Sequence, residues 1–171
     1  DNFIRVYFCC RPAPDAQMQF VSYCAFVDLA RDDLFTVKSL STNPVLALGG
    51  LGTFDEFGTY PVSVMRDGDD VLAIYGGWSR CESVPFDISL GLARSKDGGL
   101  SFEKYGAGPI LSSSPDEPFV ITSPKIRKYG GTWYLAYTSG KRWVTDEDSR
   151  PEIIYKLRMA TSTDGINWIK Q

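Results

Sequence analysis

A short segment typical of a closing β-hairpin occurs twice in this chain at a fixed spacing. It reads SKDGGLSF at 95–102 and STDGINW at 162–168, and Asp164 lies 67 residues after Asp97. Asp-Gly and Gly-Gly pairs between short apolar runs are strong local signals of hairpin turns. A repeat of this length that holds several strands is typical of the blades of a β-propeller. This spacing constrains the fold more than any other feature of the sequence.

Each closing segment ends a series of short apolar runs that we interpret as one four-stranded antiparallel meander. We predict one blade at 54–104 and a second at 115–171, with inner strands that begin near Tyr60 and Ser123. Phe35 lies 67 residues before Phe102, which indicates a degenerate partial blade at 3–40. We see no helical periodicity of useful length. The prediction is an all-β fold of about two and a half propeller blades, forming a single domain over 1–171.

The partial blade has a consequence for assembly. The segment 5–8 aligns with 72–75, the second strand of the complete blade, and nothing corresponds to the inner strand that should precede it. Propellers close with roughly four to eight blades, and proteins avoid exposing unpaired strand edges. We therefore expect a fragment or a protomer completed by its neighbours, with self-association through the open blade edges.

The charge and composition of the chain argue against several classes of partner and site. The net charge is −3 without a block of like charge, which argues against a nucleic-acid or anionic-membrane partner. No apolar run reaches the length of a membrane span, and no signal-peptide pattern is visible, so we expect a cytoplasmic protein. The chain has no His, and its four cysteines match no zinc spacing. We expect no metal and no cofactor.

The cysteines are Cys9, Cys10, Cys24 and Cys81. Cys9 or Cys10 and Cys24 have a spacing that would let them face each other across a strand pair. The alternative, which we favour, is that all four are buried reduced thiols.

Meander geometry predicts which residues share one end of the blades. Successive strands reverse, so the loop that enters the first strand and the loop that joins the second and third strands lie together. Two long loops, 78–86 and 141–152, occur at this end. Long polar loops on a rigid scaffold are the default location of a site. The candidate residues of this face are Asp55, Glu56, Tyr60, Trp78, Arg80, Asp116, Glu117, Ser123, Arg142, Trp143 and Glu152.

These residue types suit the chemistry of sugars. Hydrolysis of a glycosidic bond needs two carboxyl groups, one to protonate the leaving oxygen and one to activate water or attack directly. Trp78 and Trp143 could stack on sugar rings, and Arg80 or Arg142 could tune the pKa of a carboxyl group. The structural alternative is that each Asp or Glu before a strand serves as a turn or capping device. Geometry alone places Asp55 and Asp116 at equivalent positions, one per blade, facing a common cleft.

Other conspicuous residues have structural interpretations. Trp133 and Trp168 occupy strand positions and should belong to the core. The SKDGGLSF segment resembles the Asp-box of sialidases, whose Asp and Ser hold a hairpin away from the chemistry.

A family resemblance adds to these predictions. The Pro-led inner strand, the Gly-containing turn, WYLAYTSG at 133–140 and ATSTDGINW at 160–168 together resemble the five-bladed propeller glycosidases that include glycoside hydrolase families 43 and 32. The resemblance covers Arg5 to the C-terminus. It implies three acids from different blades, with Asp55 and Asp116 resembling inner-strand acids and Glu152 or Glu117 in the place of the general acid. The first acid usually comes from the inner strand of the first blade, for which this chain has no counterpart.

Three functions remain open at this point. The resemblance implies a glycosidase or part of one, which acts on a saccharide with paired carboxylates. A non-catalytic propeller would use the same acids only to bind sugar hydroxyls. A sialidase-like propeller is indicated by the Asp-box alone. In each case we expect a saccharide ligand, with Tyr60, Trp78, Arg80, Arg142, Trp143, Glu56 and Ser123 as the substrate-binding residues.

Overall fold

The protein is an all-β molecule, as predicted. The computed structural model describes residues 2–171, apart from the side chains of Pro61 and Val62, so that Asp1 of the predicted domain lies outside the described residues. Within that range the backbone forms eleven strands in three antiparallel sheets and no helix. Nothing in the described part is a helix long and apolar enough to cross a membrane.

The three sheets follow one another along the chain. The first sheet consists of β1 (Phe3–Cys10), β2 (Tyr23–Ala30) and β3 (Val37–Leu40), in the order β1-β2-β3. The second consists of β4 (Gly58–Asp67), β5 (Asp70–Arg80), β6 (Phe86–Ser95) and β7 (Glu103–Lys104), in chain order. The third consists of β8 (Ile121–Tyr129), β9 (Thr132–Thr145), β10 (Pro151–Ser162) and β11 (Ile169–Lys170), again as a meander. The chain therefore contains two four-stranded blades and a three-stranded partial one.

The repeated closing segments form the hairpins β6–β7 and β10–β11 by the same hydrogen bonds. In the second sheet, Asp97 Oδ1 accepts the backbone N–H groups of Leu100 and Ser101, at 2.9 and 3.0 Å. In the third sheet, Asp164 Oδ1 accepts those of Ile166 and Asn167, both at 2.8 Å. The Asp-box residues therefore hold their turns, which agrees with the structural interpretation.

The central sheet is buried on both faces. On one face, Leu72 and Ile74 of β5 pack in a cluster with residues of the third sheet such as Leu135. On the other face, Val71, Ala73 and Tyr75 pack against residues of the first sheet and its following loop, such as Phe26 and Leu46. Because side chains alternate across a strand, a sheet covered on both sides needs a continuous apolar run, and VLAIY at 71–75 is that run.

The tryptophan prediction agrees with the packing. Trp133 is buried in the cluster between the second and third sheets, and Trp168 is partly buried against the same cluster.

The cysteine prediction is wrong for three of the four residues. Only Cys24 is buried, whereas Cys9, Cys10 and Cys81 are exposed, and all four are free. Cys9 lies opposite Cys24 in the β1–β2 register, so the two do face each other as a cross-strand pair. Cys9 and Cys10 end the edge strand β1, and Cys81 directly follows β5.

Candidate functional site

A cavity lies at the end of the sheets where strand reversal predicts that the long loops meet. It measures about 460 Å³, within the range of small-molecule sites. Its walls come from the β1–β2 loop, the start of β4, the end of β5 and the loop into β6. The lining residues are Arg11, Gln19, Phe20, Tyr60, Trp78, Arg80, Cys81, Pro85 and Phe86.

Tyr60 and Trp78 reach the cavity because of local backbone features. The β4–β5 register shifts between Tyr60 and Val62, a β-bulge that redirects the strand as it leaves the cavity. Trp78 pairs with Gly58 across the same two strands. A Cβ atom at position 58 would overlap the indole of Trp78, so only glycine allows this ring to lie against the backbone.

The phenol of Tyr60 is neutral at physiological pH. Burial raises the pKa of Tyr60 to about 12, and the neighbouring Tyr155 acts in the same direction. Tyr60 therefore offers the cavity a hydroxyl group that both donates and accepts hydrogen bonds. The ring nitrogen of Trp78 is buried beside Gly58, without a hydrogen-bond partner among the described residues.

Arg80 connects the cavity walls. Its Nη2 donates to the backbone oxygen of Phe20 at 2.7 Å, and its Nη1 donates to the side-chain oxygen of Gln19. Its guanidinium carbon lies 4.0 Å from the ring centre of Phe57. These contacts fix the plane of the Arg80 guanidinium and attach the β1–β2 loop to the central sheet.

Arg11 stands on the exposed rim of the cavity. Its Nε donates to the hydroxyl of Ser22 at 3.4 Å, and its guanidinium carbon lies 5.5 Å from the ring centre of Phe20. Arg11 therefore contacts the ring of Phe20, and Arg80 binds its backbone oxygen.

The predicted acid Asp55 does not line the cavity. It is only 1% exposed, and Lys104 of β7 places its Nζ 2.6 Å from Asp55 Oδ2. The Tyr75 hydroxyl donates to the same oxygen at 2.9 Å, and Thr53 Oγ1 donates to Oδ1 at 3.1 Å. Burial and the adjacent carboxylate raise the pKa of Tyr75. Asp55 therefore ties the loop before β4 to the second and fourth strands of its own blade.

Glu117 makes the matching arrangement in the third sheet. It is 1% exposed, and it accepts hydrogen bonds from the Tyr137 hydroxyl at 3.0 Å and Arg158 Nε at 2.6 Å. Lys170 of β11 places its Nζ 3.0 Å from the same carboxylate. Burial alone would raise the pKa of Glu117, but the bonds from Lys170, Arg158 and Tyr137 outweigh it and hold this pKa below its ordinary value.

The two clusters correct the predicted equivalence of acids between blades. Asp55 and Tyr75 are 20 residues apart, and so are Glu117 and Tyr137. The counterpart of Asp55 is therefore Glu117, whereas the sequence predicted Asp116. Asp116 is exposed to solvent one residue away.

The other predicted residues are distributed around the cavity or away from it. Trp143 packs edge-on against the cavity residue Phe86, with ring centres 5.7 Å apart. Glu56 accepts the backbone N–H of Gly52 at 2.8 Å and serves its own loop. Ser123 is exposed with a φ of 54°, in the register shift at the start of β8. Arg142 and Glu152 are exposed and do not line the cavity. Of the predicted residues, Tyr60, Trp78 and Arg80 therefore line the cavity together, and Trp143 packs against the wall residue Phe86.

The contribution of the first sheet to the cavity was not predicted from the sequence. Arg11, Gln19 and Phe20 lie in the β1–β2 loop, which joins the second and third strands of the partial blade. The alignment of 5–8 with 72–75 contained this signal, because it makes the β1–β2 loop the counterpart of the loop after Trp78. Among the described residues, no group of three or more His, Cys, Asp or Glu side chains could hold a metal ion.

The chain is similar in sequence to parts of longer proteins. No protein-family model matches the chain. An uncharacterized protein of Mycobacterium tuberculosis is 32% identical over 170 residues, which covers 99% of this chain and 54% of that protein. The β-1,2-mannobiose phosphorylase of a Thermoanaerobacter species is 23% identical over 146 residues, covering 79% of this chain and 45% of that enzyme. The chain therefore spans about half the length of the curated relatives that it matches.

Solved structures show the same fold. The Bombyx mori GH32 β-fructofuranosidase BmSUC1 superposes with a TM-score of 0.66 at 18% identity, over 99% of this chain and 32% of that enzyme. A family 117 glycoside hydrolase from Zobellia galactanivorans superposes with a TM-score of 0.64 at 14% identity, over 97% of this chain and 42% of that enzyme. The fold is that of the five-bladed propeller glycoside hydrolases. The predicted resemblance is thereby confirmed, and the two and a half blades correspond to part of such a propeller.

Proposed function

We propose that this chain binds a saccharide in the cavity between its first and second sheets, as part of a propeller protein that acts on sugars. The main support for this proposal is the composition of the cavity wall. Four aromatic residues (Phe20, Tyr60, Trp78 and Phe86) line it together with the polar side chains of Arg11, Gln19 and Arg80. Aromatic faces cover the apolar side of a sugar ring, and the polar groups bond its hydroxyls. The fold likeness to glycoside hydrolases supports the same ligand class.

The catalytic alternative is that the protein hydrolyses or phosphorolyses a glycosidic bond. The fold and the mannobiose phosphorylase relative favour it. Hydrolysis requires a pair of carboxyl groups on either side of the bond. Asp55 and Glu117 are each buried and bound to a lysine, and the described cavity wall contains no Asp or Glu. We therefore place binding first, and we assign no catalytic acid within residues 2–171.

A glycan-binding array combined with an aryl-glycoside activity screen tests the proposal. We expect the 171-residue chain to retain a subset of glycans and to lose them in Phe20→Ala, which removes a half-exposed ring from the cavity wall. Phe35→Ala is the matched control, because Phe35 is 98% exposed and lies in the turn before β3.

Two results would contradict the proposal. Equal loss of glycan binding in both phenylalanine variants would show that the cavity is not the site. Turnover of an aryl glycoside by the chain alone, abolished by Glu152→Gln but not by Phe20→Ala, would favour catalysis at another part of the face.

A further inference from the structure

The wall of this cavity carries only positively charged ionised side chains. The chain has a net charge of −3, yet the two ionised side chains of the wall are both arginines. Charge of one sign gathered in a concave surface raises the local concentration of ligands of the opposite sign.

Six arginines form no ion pair among the described residues, and Arg11 and Arg80 are the two of them that line this cavity. Four other arginines pair with carboxylates: Arg5 with Asp28, Arg94 with Asp70, Arg150 with Asp146, and Arg158 with Glu117. None of the ion pairs formed by the described residues includes Arg11 or Arg80. Arg11 and Arg80 contact a hydroxyl, an amide oxygen, a backbone oxygen and aromatic rings.

Asp15 lies in the β1–β2 loop together with Arg11, and its carboxylate bonds to the backbone of that loop. Asp15 Oδ1 accepts the backbone N–H groups of Gln17 and Gln19, at 3.0 and 2.9 Å. It therefore shapes the turn that carries Gln19 and Phe20 into the wall, and it does not line the cavity.

Arg80 is also held in a fixed orientation. A guanidinium group carries five N–H donors, and the two recorded bonds of Arg80 leave the others for a ligand. Stacking on Phe57 fixes its plane, so little side-chain entropy is lost when a further bond forms. A planar guanidinium matches the geometry of a carboxylate or a phosphate group, and bonds between ionised partners are about twice as strong as neutral ones.

We infer that the cavity selects saccharides that carry a carboxylate or a phosphate, with Arg80 and Arg11 as the residues that bind this anionic group. The inference rests on the proposed saccharide-binding function, and it names the class of sugar. The aromatic wall would hold the ring while the arginines bind the charged substituent at the rim.

Calorimetric titration of the 171-residue chain tests the inference with four probes: glucuronate, glucose 6-phosphate, glucose and inorganic phosphate. We expect at least one charged sugar to bind about tenfold or more tightly than glucose at low ionic strength, because a charge-assisted bond contributes that much affinity. Added salt should reduce this preference. Preference for glucuronate or for glucose 6-phosphate identifies which anion the site takes.

Substitutions connect the preference to the two arginines. Arg11→Gln and Arg80→Gln should each reduce the ratio of the affinity for the charged sugar to the affinity for glucose by about tenfold. Arg94→Gln is the matched control, because Arg94 lies outside this cavity and pairs with Asp70. Arg11→Lys keeps the charge without the planar group, so it should retain part of the preference.

The outcomes separate the two proposals. Equal affinity for charged and neutral sugars, or a preference unchanged in both glutamine variants, overturns the inference and leaves the saccharide site standing. Binding of inorganic phosphate without any charged sugar also overturns it. If none of the four probes binds and the glycan array is blank as well, both proposals fail.

Discussion

At the scale of single residues, the buried acids Asp55 and Glu117 attach loops to their sheets. Asp55 and Glu117 each receive a tyrosine hydroxyl from the second strand of their blade and a lysine from its fourth strand. A buried carboxylate without partners would be strongly unfavourable, so each acid and its cations form one unit. The loops before β4 and β8 are thereby attached to the rest of their sheets.

The first prediction concerns the replacement of this charge. Glu117→Gln should lower the free energy of unfolding by about 3 kcal/mol, because the lysine and arginine lose their buried counter-charge. Urea denaturation measures the change. Asp116→Asn is the control one residue away, and because Asp116 is exposed its effect should stay within about 0.5 kcal/mol. Equal effects from the two variants would contradict the assignment of this stabilising contribution to Glu117.

The second prediction is a pH dependence of the same contribution. The pKa of Glu117 lies below its ordinary value of 4.5 in the folded protein, so the unfolded chain binds the proton more readily. The contribution is therefore fully present above that ordinary value and is lost as the pH falls through the folded pKa. The stability difference between the wild type and Glu117→Gln should be large near pH 7 and shrink as the pH falls below the ordinary Glu pKa of 4.5. A difference that stays constant with pH would exclude this linkage.

At the scale of elements, the Asp-box decides how each blade closes. The fourth strands β7 and β11 have only two residues each, so their pairing is too short to hold them by itself. Ser95 and Asp97 in one turn, and Ser162 and Asp164 in the other, replace ladder hydrogen bonds with side-chain bonds to the backbone. The hairpin turns also position Lys104 in β7 and Lys170 in β11. These lysines pair with the buried carboxylates of Asp55 and Glu117.

The third prediction tests this closure. Asp97→Ala should accelerate amide hydrogen exchange at Leu100 and Ser101, whose N–H groups lose their common acceptor. Exchange at Ile166 and Asn167, in the intact hairpin of the third sheet, should not change. Asp164→Ala should produce the reverse pattern. Simultaneous loss of protection in both hairpins for either variant would show that the turns do not act locally.

At the scale of the whole molecule, the outer sheets leave apolar faces uncovered. Ile4, Val6 and Phe8 form an exposed row on β1, each between 37% and 41% exposed. On β10, Leu157 is 83% exposed and Met159 is 48% exposed. Contiguous exposed apolar surface of this kind marks an interaction surface.

The fourth prediction is self-association of the chain through these faces. We expect sedimentation at micromolar concentration to show species larger than a 19.0 kDa monomer. Leu157→Lys should shift the distribution toward monomer, because a charge on the apolar row opposes burial of that face. Lys156→Ala, next to it on the strand and on the opposite face, is the control. A clean wild-type monomer would count against the prediction.

Local chemistry explains what could be read from the sequence alone. The turns at 97–99 and 164–165, the continuous apolar run at 71–75 and the 67-residue spacing are short-range patterns, and they determined the all-β fold and the meander of each blade. The shared end of the strands, which holds Tyr60, Trp78 and Arg80, follows from strand reversal and was predicted for the same reason.

The role of each acid was decided only by the tertiary structure. Asp55 and Asp116 look alike in sequence, because each stands next to a glutamate before an inner strand. Asp55 meets Tyr75 and Lys104 from distant strands, whereas in the next blade Glu117 takes that place and Asp116 faces solvent. The cavity likewise joins Arg80 to Phe20 across 60 residues of chain. Whether a carboxylate is neutralised, and what a loop touches, depends on packing between strands far apart in sequence, and no local pattern records that packing.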